Sequence, residues 1–418
     1  MIFEADYSRS EGAIRAISHF RCNLKRLYGV LHDSKSWRVT EFPRLTIAKE
    51  NSKLVYSFSG LERATITLES WSSEFSEIEI VVEGTKDEVA RNRQIQYWKK
   101  VITDLRHRLG SSDLFVASAP AKVNLFFAVG AFLKDGYHEV ASLYQALALR
   151  EQLSMELSGR NHVEFCGPYQ SLAEESVPRD DSNLVFLAQK ALSEFSVELA
   201  NSKFDFLIKK SVPIAGGMAG GSADAAAALT LIDGRYGLEL GSKLEEIGSS
   251  FGADVPFSIR GGTAQGLGRG EVLSPIETSG TLHFVVTPNP VGLATPLVYK
   301  QLDLMRIEEG IDVSALAPPT LSRSLLKAVA DANPEALAPL MANDLERAAL
   351  RLRPELRSVL EAGEEAGALR SMISGSGPSI VHLARNRTDA ELIAERLRRA
   401  SFESIVSYSS QSGSRLES

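Results

Sequence analysis

The chain has 418 residues, of which 44% are apolar and 24% charged, proportions that are ordinary for soluble globular proteins of several domains. A net charge of −7 at pH 7 excludes any general attraction to nucleic acid or to anionic membranes. The two cysteines, Cys22 and Cys166, are far apart in the sequence, which argues against a disulfide framework or a structural zinc site. With no signal-peptide pattern and no apolar run long enough to span a bilayer, we expect a cytoplasmic protein.

The first 110 residues hold all three tryptophans and few of the glycines, and they predict a small antiparallel α+β module. Four strands are predicted from their apolar patterns, over residues 38–47, 52–59, 62–69 and 76–83. A helix is predicted over 85–109, because apolar residues recur at spacings of three and four: Ile95, Trp98, Ile102, Leu105 and Leu109. Gly110 ends that helix and begins a short linker. Antiparallel strands before a long C-terminal helix resemble the later part of a helix-grip (START-like) domain, and the sequence assigns no ligand to this module.

The remaining chain mixes strands and helices and predicts a two-lobed α+β fold, with lobes over residues 113–279 and 280–410. In the first lobe the predicted elements are a strand over 114–131 and helices over 181–196 and 222–234. The earlier helix starts at Asp181 and Ser182, residue types that suit an N-cap. In the second lobe the predicted elements are strands over 282–287 and 379–384 and helices over 322–333, 335–348, 354–366 and 388–400.

A glycine-rich run is the strongest chemical signal in the sequence. Four glycines and no bulky polar side chain leave backbone N–H groups free to face a ligand. Because the run enters a helix near Ser222, the unpaired N–H groups and the helix dipole would favour a phosphate there. The run lacks the G-K-[ST] ending of a P-loop, which excludes that class, and a flexible turn before a buried helix is the alternative interpretation. The residues of this predicted phosphate loop are Pro213, Ile214, Ala215, Gly216, Gly217, Met218, Ala219, Gly220, Gly221, Ser222 and Ala223.

Two charged residues stand in small or apolar surroundings and are candidate catalytic groups. Lys122 lies in the segment P-A-K-V-N-L of an apolar strand, where a lysine must snorkel, pair or face a site. Asp254 lies in the segment G-A-D-V-P-F, and by itself it would be an N-cap or turn residue. If the two are paired, the cation would hold the charge of the carboxylate and make Asp254 a candidate general base.

A second glycine-rich segment precedes the last predicted strand. It consists of Ser374, Gly375, Ser376 and Gly377, and Pro378 follows it. On its own this segment is equally typical of a simple tight turn.

The order and spacing of these four motifs resemble those of the GHMP kinase superfamily. Further segments resemble one subgroup of it: K-D-G-Y-H from Lys134 to His138, G-G-T-A and G-R-G-E from Gly261 and Gly268, and T-P-L-V-Y ending at Tyr299. The resemblance extends from about residue 113 to 410 and does not include the first 110 residues. It implies a kinase that uses ATP and Mg²⁺ to phosphorylate a small molecule, a cytidine diphosphate-linked sugar alcohol of non-mevalonate isoprenoid biosynthesis. Neither a nucleic acid nor a membrane is an implied partner.

The resemblance also implies roles for individual residues. Asp254 is similar to the base that removes the proton of the acceptor hydroxyl, and Lys122 to the lysine that orients this base and offsets developing negative charge. Asn124 would help to hold the acceptor. Tyr137 and His138 are similar to residues that recognise the cytosine ring by stacking and polar contacts.

ATP and its magnesium ion are implied at the glycine-rich segments. The phosphate loop is similar to the loop that holds the triphosphate, and residues 374–377 to a segment that closes over the site. One departure is Ala223, because relatives often carry a second serine after the position of Ser222; a second hydroxyl contact to phosphate or magnesium is therefore not expected here. No cluster of carboxylates suggests a protein cage for the metal, so Mg²⁺ is expected to arrive with ATP and to keep several waters.

Two other functions are compatible with parts of this pattern. Another GHMP kinase could act on a different alcohol, such as homoserine or a sugar, but a cytosine-reading Tyr137 would have no use there. A non-catalytic nucleotide-binding protein on the same scaffold is disfavoured by the presence of both Lys122 and Asp254.

Overall fold

The computed structural model describes residues 4–5, 13–39, 42–110, 115–133 and 136–417. The chain separates into two compact units. The first consists of Met1–Ala117, Ser154–Glu156 and Leu416–Ser418, and the second of Ser118–Leu153 and Leu157–Arg415. A membrane-spanning helix, which needs both length and apolar character, does not occur in the described ranges.

The first unit is an antiparallel sheet packed against one long helix. In chain order its elements are β1 (Glu4–Ala5), β2 (Ile14–Phe20), α1 (Leu24–His32), a 3-10 turn (Ser34–Ser36), β3 (Arg44–Lys49), β4 (Lys53–Ser57), β5 (Arg63–Ser72), β6 (Phe75–Glu83) and α2 (Glu88–Leu109). Across the sheet the described strands follow the order β1-β2-β6-β5-β4-β3, and neighbouring strands are antiparallel. This architecture agrees with the small antiparallel α+β module that the sequence predicts.

Helix α2 supplies the core of the first unit with the apolar stripe that the sequence predicts. Four of the stripe residues are buried: Trp98, Ile102, Leu105 and Leu109. The ring of Trp98 meets the ring of Trp37 edge to face, with centroids 5.8 Å apart. The helix ends at Gly110, whose φ of 71° is a left-handed conformation that glycine adopts without steric cost.

Two features of the first unit differ from the prediction. The strand predicted over 38–47 begins only at Arg44, and Trp37, which follows a 3-10 turn, is buried in the core; residues 40 and 41 lie outside the described ranges. The sequence did not predict β2 and α1. Helix α1 buries only Leu27 and Leu31, too few residues to establish a helical period. The resemblance to a helix-grip domain stays a prediction.

Most of the remaining elements lie in the second unit. Before residue 280 they are β7 (Val116–Phe132), β8 (His138–Ser158), β9 (His162–Cys166), α3 (Gln170–Ser176), α4 (Leu184–Leu192), a 3-10 turn (Ser193–Phe195), α5 (Val197–Asn201), β10 (Lys203–Lys209), α6 (Gly220–Tyr236), α7 (Lys243–Ser249), α8 (Val255–Arg260), β11 (Thr263–Leu267) and β12 (Val272–Ile276). After residue 280 they are β13 (His283–Thr287), α9 (Thr295–Glu308), α10 (Arg323–Ala330), α11 (Pro334–Leu337), a 3-10 turn (Ala338–Leu340), β14 (Ala342–Asn343), α12 (Leu345–Leu352), α13 (Leu356–Glu365), β15 (Arg370–Ile373), β16 (Ile380–Ala384), α14 (Arg387–Arg399), β17 (Ile405–Tyr408) and β18 (Arg415–Leu416).

Two sheets organise the second unit. The larger follows the order β12-β11-β8-β10-β9, with β7 beside β8, and the smaller the order β15-β16-β13-β17. Strands β9 and β10 run parallel, whereas β8 and β11 run antiparallel. Helix α6 lies in the interior between α4 and α8, and its residues 223–229 are all buried. Its alanines leave room for these neighbouring helices to pack closely.

Each predicted element after residue 280 corresponds to a single observed element, with one exception. The helix predicted over 335–348 is wrong, because the chain leaves the helical conformation at Met341, where ψ is 126°. A tertiary contact lies at this interruption: the side-chain nitrogen of Asn343, Nδ2, donates hydrogen bonds to the carbonyl oxygens of Ile373 and Gly375, at 2.8 and 2.7 Å. The apolar periodicity predicts a helix through this region, and the tertiary contact interrupts it.

The predicted start of the helix at 181 is also wrong. Asn183 caps α4, and its side-chain oxygen accepts a hydrogen bond from the backbone N–H of Val185 at 3.0 Å. Asp180 instead closes a turn with Ser182, accepting hydrogen bonds from its backbone and hydroxyl. Several residues of N-cap type follow one another here, so residue type alone does not locate the first turn.

Candidate active site

The phosphate loop joins β10 to α6, and its backbone conformation depends on Gly217. This residue has a φ of 73°, and a Cβ added to it would overlap the carbonyl oxygen of Ser374. Ala215 and Ala219 also adopt positive φ, at 52° and 59°, a conformation that is uncommon for alanine. Among the described residues no side chain caps α6, so the N–H groups of its first turn are available to a ligand.

The loop forms one wall of a cleft of about 660 Å³ in the second unit, a volume typical of small-molecule sites. Most of the predicted loop residues line it: Pro213, Ile214, Ala215, Gly216, Gly217, Ala219, Gly220 and Gly221. Met218 and Ala223 are buried, and together with Ser222 they lie outside the described lining. Ser222 is half-buried between the lining residues Gly221 and Asp224, and its contact with a phosphate stays a prediction.

The two predicted catalytic residues lie together in the same cleft. Lys122 is on β7 and Asp254 immediately precedes α8, and the lysine Nζ is 3.6 Å from the aspartate Oδ2. The lysine side chain is 7% exposed and that of the aspartate 32%. Asp254 occupies the N-cap position of α8, but its side chain makes no capping hydrogen bond within the described residues. Lys122 is thus paired and does not snorkel, and the Asp254 carboxylate faces the cleft.

Asn124 fixes the position of the Lys122 ammonium. Its side-chain oxygen accepts a hydrogen bond from the lysine Nζ at 2.8 Å, and its nitrogen donates to the hydroxyl of Ser142 at 2.7 Å. Asn124 is fully buried and lies outside the described lining, where it contacts the lysine; its predicted role in holding the acceptor stays a prediction. The ring of Tyr144 adds a cation–π contact, with its centroid 5.4 Å from the same Nζ. Burial, and then the Asp254 carboxylate, hold the pKa of Tyr144 well above its usual value.

The second glycine-rich segment contacts the phosphate loop directly. The hydroxyl of Ser374 donates to the carbonyl oxygen of Gly217 at 3.2 Å, and the backbone N–H of Ser379 donates to that of Gly216 at 3.3 Å. Ser376 shares a hydrogen bond of 2.8 Å with the hydroxyl of Thr295. Three of the predicted residues line the cleft, namely Gly375, Ser376 and Gly377, whereas Ser374 is buried.

The residues predicted to recognise the cytosine ring differ in exposure. Tyr137 is 55% exposed, and the guanidinium carbon of Arg269 lies 4.8 Å from its ring centroid. His138 is 8% exposed and lies outside the described lining. Its Nε2 is 2.9 Å from an oxygen of Asp303, and its ring stacks on that of Tyr299, with centroids 5.0 Å apart and an interplanar angle of 28°.

Two further residues line the cleft, and no role was predicted for them from the sequence. They are Arg269 and Tyr299, and each lies in a segment that carried the resemblance, G-R-G-E and T-P-L-V-Y. Burial, and then the charge of Asp254, raise the pKa of Tyr299 above its usual value. Lys134 and Asp135, which begin the K-D-G-Y-H segment, lie outside the described ranges.

Among the described residues, the cleft contains few side chains that could bind a metal ion directly. The carboxylates in the described lining are Asp224 and Asp254. Clusters of three or more His, Cys, Asp or Glu side chains that could hold a metal do not occur in the part of the chain that the structure describes.

Family comparisons agree with this geometry. The model of the GHMP kinases N terminal domain matches residues 183–262, which include the phosphate loop and Asp254, and that of the GHMP kinases C terminal matches residues 325–403. The crystal structure of L. major mevalonate kinase in complex with R-mevalonate has a TM-score of 0.55 at 17% identity, over 71% of this chain and 96% of that one. It shows the same fold. The fold and the cleft thus define a kinase of the GHMP class.

Relatives with higher sequence identity indicate the family within this class. The 4-diphosphocytidyl-2-C-methyl-D-erythritol kinases of Salinispora arenicola and of a Nocardioides species are both 42% identical, over 69% and 67% of this chain and 89% and 91% of theirs. A crystal structure of 4-(cytidine 5'-diphospho)-2C-methyl-D-erythritol kinase has a TM-score of 0.57 at 30% identity, over 71% of this chain and 99% of that one. The chain belongs to the 4-diphosphocytidyl-2-C-methyl-D-erythritol kinase family.

Proposed function

We propose that this chain transfers the terminal phosphoryl group of ATP to the 2-hydroxyl of 4-diphosphocytidyl-2-C-methyl-D-erythritol, a step of non-mevalonate isoprenoid biosynthesis. The names of its relatives support this acceptor, and membership of a kinase family supports ATP as the donor. The observation that carries the proposal is the 3.6 Å separation of Lys122 and Asp254 in a cleft that also contains the phosphate loop. Phosphoryl transfer depends mainly on positioning and charge stabilisation, which such a cleft can supply.

In this proposal Asp254 is the general base. It accepts the proton of the acceptor hydroxyl, the oxygen forms a bond to the terminal phosphorus of ATP, and the bond from that phosphorus to the bridging oxygen breaks to release ADP. The Lys122 ammonium, 3.6 Å from Asp254, offsets negative charge in the transition state. Asn124 takes part through Lys122, because it accepts a hydrogen bond from the lysine and lies outside the cleft lining.

The ATP phosphates are proposed to lie against the backbone N–H groups of the phosphate loop and of the first turn of α6. Of the two carboxylates in the described lining, Asp224 is buried against Lys210, whereas the side chain of Asp254 is 32% exposed; Asp254 is therefore the group that could contact a metal, directly or through water. This donor set fits a Mg²⁺ ion that arrives on the phosphates and keeps several waters. When bound, the metal would neutralise phosphate charge.

The acceptor is proposed to lie at the end of the cleft lined by Tyr299 and Arg269. Aromatic rings offer faces for a cytosine base, and a guanidinium can pair with a diphosphate. Tyr137 and His138 would contribute to the recognition of the base, and the stack of His138 on Tyr299 connects the two motifs that carry these residues.

An ADP-release assay with a panel of alcohols tests the proposal. We expect turnover with 4-diphosphocytidyl-2-C-methyl-D-erythritol and none with homoserine or simple sugars, and thermal stabilisation both by ATP and by cytidine diphosphate compounds. Turnover with another alcohol alone would indicate a different GHMP kinase. ATP binding without ADP release from any acceptor would indicate a non-catalytic nucleotide-binding protein.

A further inference from the structure

Three buried charged residues lie directly behind the phosphate loop, and the mechanism above does not use them. Glu151 on β8 is completely inaccessible to solvent, while Lys210, which directly follows β10, and Asp224 in α6 are 2% and 4% exposed. The lysine Nζ is 2.5 Å from Oε1 of Glu151 and 2.7 Å from Oδ2 of Asp224. These three residues are called the buried triad below.

The buried triad connects the two ends of the phosphate loop. Lys210 lies three residues before Pro213, the first residue of the loop, and the next backbone N–H, that of Ser211, donates to Oε2 of Glu151 at 2.7 Å. At the other end, Asp224 belongs to the helix into which the loop runs, and it accepts the hydrogen bond from Lys210. A Cβ added to Gly220, the first residue of α6, would lie 3.1 Å from Oε1 of Glu151. The same group of charges therefore touches the chain where it enters and where it leaves the loop.

Fold stability alone is a weak explanation for this arrangement. The buried triad holds two carboxylates and one ammonium, and the second oxygen of Asp224, Oδ1, is buried and makes no hydrogen bond with the described residues. Buried ion pairs are often no more stabilising than well-packed apolar residues of the same volume, because desolvation offsets the Coulombic gain. Lys210 and Asp224 also line the cleft. These features indicate a role connected with the ligand of the loop.

We propose that the buried triad clamps both ends of the phosphate loop, with Lys210 as the positioning residue, and thereby sets the affinity for ATP. This inference rests on the proposed assignment of the loop to the ATP phosphates. A loop that is already fixed in its binding conformation loses less conformational freedom when ATP binds, so the clamp raises affinity. The aligned N–H groups of α6 would also keep their direction toward the phosphates. The groups proposed for the acceptor lie elsewhere in the cleft, so acceptor affinity does not depend on the clamp.

The test uses the full-length chain with the buried triad made neutral at nearly constant volume, by combining Glu151→Gln, Lys210→Met and Asp224→Asn. Changing all three residues avoids leaving an unpaired buried charge, which by itself can unfold a protein. We expect the Kd for ATP, measured by calorimetry with Mg²⁺ present, to rise about tenfold or more, while the KM of the acceptor changes by less than about threefold. Amide hydrogen exchange of residues 211–221 should become faster.

A matched control separates positioning from loss of stability. Phe206→Leu lies on the same strand, β10, at a residue that is 1% exposed, and it changes no charge. It should lower Tm and leave the Kd for ATP unchanged within about twofold. If the triple variant does not fold, Asp224→Asn alone, which leaves Lys210 paired with Glu151, should raise the Kd for ATP about three- to tenfold.

The outcomes discriminate between the two proposals. A folded variant with unchanged ATP affinity and unchanged exchange in residues 211–221 would overturn the clamp and leave the proposed function standing. A wild-type chain that does not bind ATP would overturn the assignment of the loop itself. Equal increases in the Kd for ATP and the KM for the acceptor would indicate a structural role for the buried triad and would also overturn the clamp.

Discussion

The ammonium of Lys122 and the carboxylate of Asp254 are 3.6 Å apart, a separation at which two charges attract each other without a short hydrogen bond. The short hydrogen bond of the ammonium goes to Asn124, at 2.8 Å. Asp254 is thus held by charge while its oxygens stay available to the cleft, since its side chain caps no helix within the described residues. This is the geometry expected of a base that must accept a proton from a bound hydroxyl.

Asp254→Asn is expected to lower kcat by about 10²–10⁴-fold, the usual contribution of a general base, with ATP affinity nearly unchanged. Lys122→Ala should act in the same direction. Steady-state kinetics and ATP calorimetry measure the two effects, and Asp205→Asn, at a side chain that is 52% exposed on β10, is the control. Turnover near the wild-type rate in Asp254→Asn would exclude this residue as the base.

Tyr137→Ala is expected to weaken the binding of the acceptor and to leave the binding of ATP unchanged. Loss of an aromatic stack on a base corresponds to about 1–3 kcal/mol, so the KM of the cytidine substrate should rise about five- to 150-fold. Because Tyr137 is 55% exposed, its removal should change Tm little. The conservative variant Tyr137→Phe retains the ring and should restore most of the affinity. Similar losses for ATP and the acceptor would contradict the assignment.

Gly217→Ala is expected to lower both Tm and ATP affinity, because the backbone at this position has a positive φ, which a residue with a Cβ rarely adopts, and because the added Cβ overlaps the carbonyl oxygen of Ser374. Gly237→Ala is a matched control at the end of α6: its φ is 59°, but a Cβ there meets no atom within 4 Å. It should cost about 1 kcal/mol of stability and leave the Kd for ATP unchanged. Equal effects of the two variants on ATP binding would show that the close approach to Ser374 is unimportant.

The sequence predicts the parts of the site that are contiguous. The phosphate loop, Lys122 and Asp254 each stand in a short segment whose composition reflects a local requirement for flexible backbone or for a charge in apolar surroundings. Contacts between distant segments could not be predicted in this way. His138 and Asp303, which are 165 residues apart, form a hydrogen bond. A single sequence contains no periodicity that joins such residues.

The errors in the predicted fold have a related cause. The stripe of α2 is confirmed, because its period is a property of consecutive residues facing one core. The helix predicted over 335–348 is interrupted because Asn343 bonds to Ile373 and Gly375, a requirement that comes from another part of the chain. The pairing of Glu151 with Lys210 could not be predicted for the same reason, since the two charges come into contact only when β8 and β10 lie side by side.

The stability of the protein is expected to depend on the protonation of Glu151. Burial raises the pKa of Glu151 from an ordinary 4.5 to about 7, although the charge of Lys210 acts in the opposite direction. Because the folded-state pKa is above the unfolded one, the protonated carboxyl favours the folded state. This stabilisation is complete below about pH 4.5 and is lost as the pH rises through about 7. Burial also raises the pKa of Asp224, with an effect of the same sign.

Glu151→Gln should therefore flatten the pH dependence of stability. Urea unfolding at pH 5 and pH 8 is the measurement, and the wild type should lose more unfolding free energy than the variant between these two values. Glu164→Gln, at a side chain that is 65% exposed on β9, should leave the pH dependence as it is in the wild type. Parallel pH profiles for the wild type and Glu151→Gln would show that this carboxyl is ionised in both folded and unfolded states.

The first unit is predicted to be dispensable for catalysis, because Lys122, Asp254, the phosphate loop and residues 374–377 all lie in the second unit. Leu105→Ala removes a fully buried side chain of α2 from the core of the first unit. It should lower the free energy of unfolding by about 2–5 kcal/mol, a large share of the stability of a domain of this size. Every tryptophan of the chain lies before residue 110, so tryptophan fluorescence reports on the first unit alone.

We expect urea to shift the fluorescence of Leu105→Ala at a lower concentration than in the wild type, while kcat/KM in dilute buffer is unchanged. Leu229→Ala, which empties a fully buried position in α6, is the reciprocal control and should reduce activity without moving the fluorescence transition. Activity that falls together with the fluorescence signal in Leu105→Ala would mean that the kinase requires the first unit as an integral extension. Activity that survives the fluorescence transition would show that catalysis does not need the folded first unit, as expected for domains that fold separately.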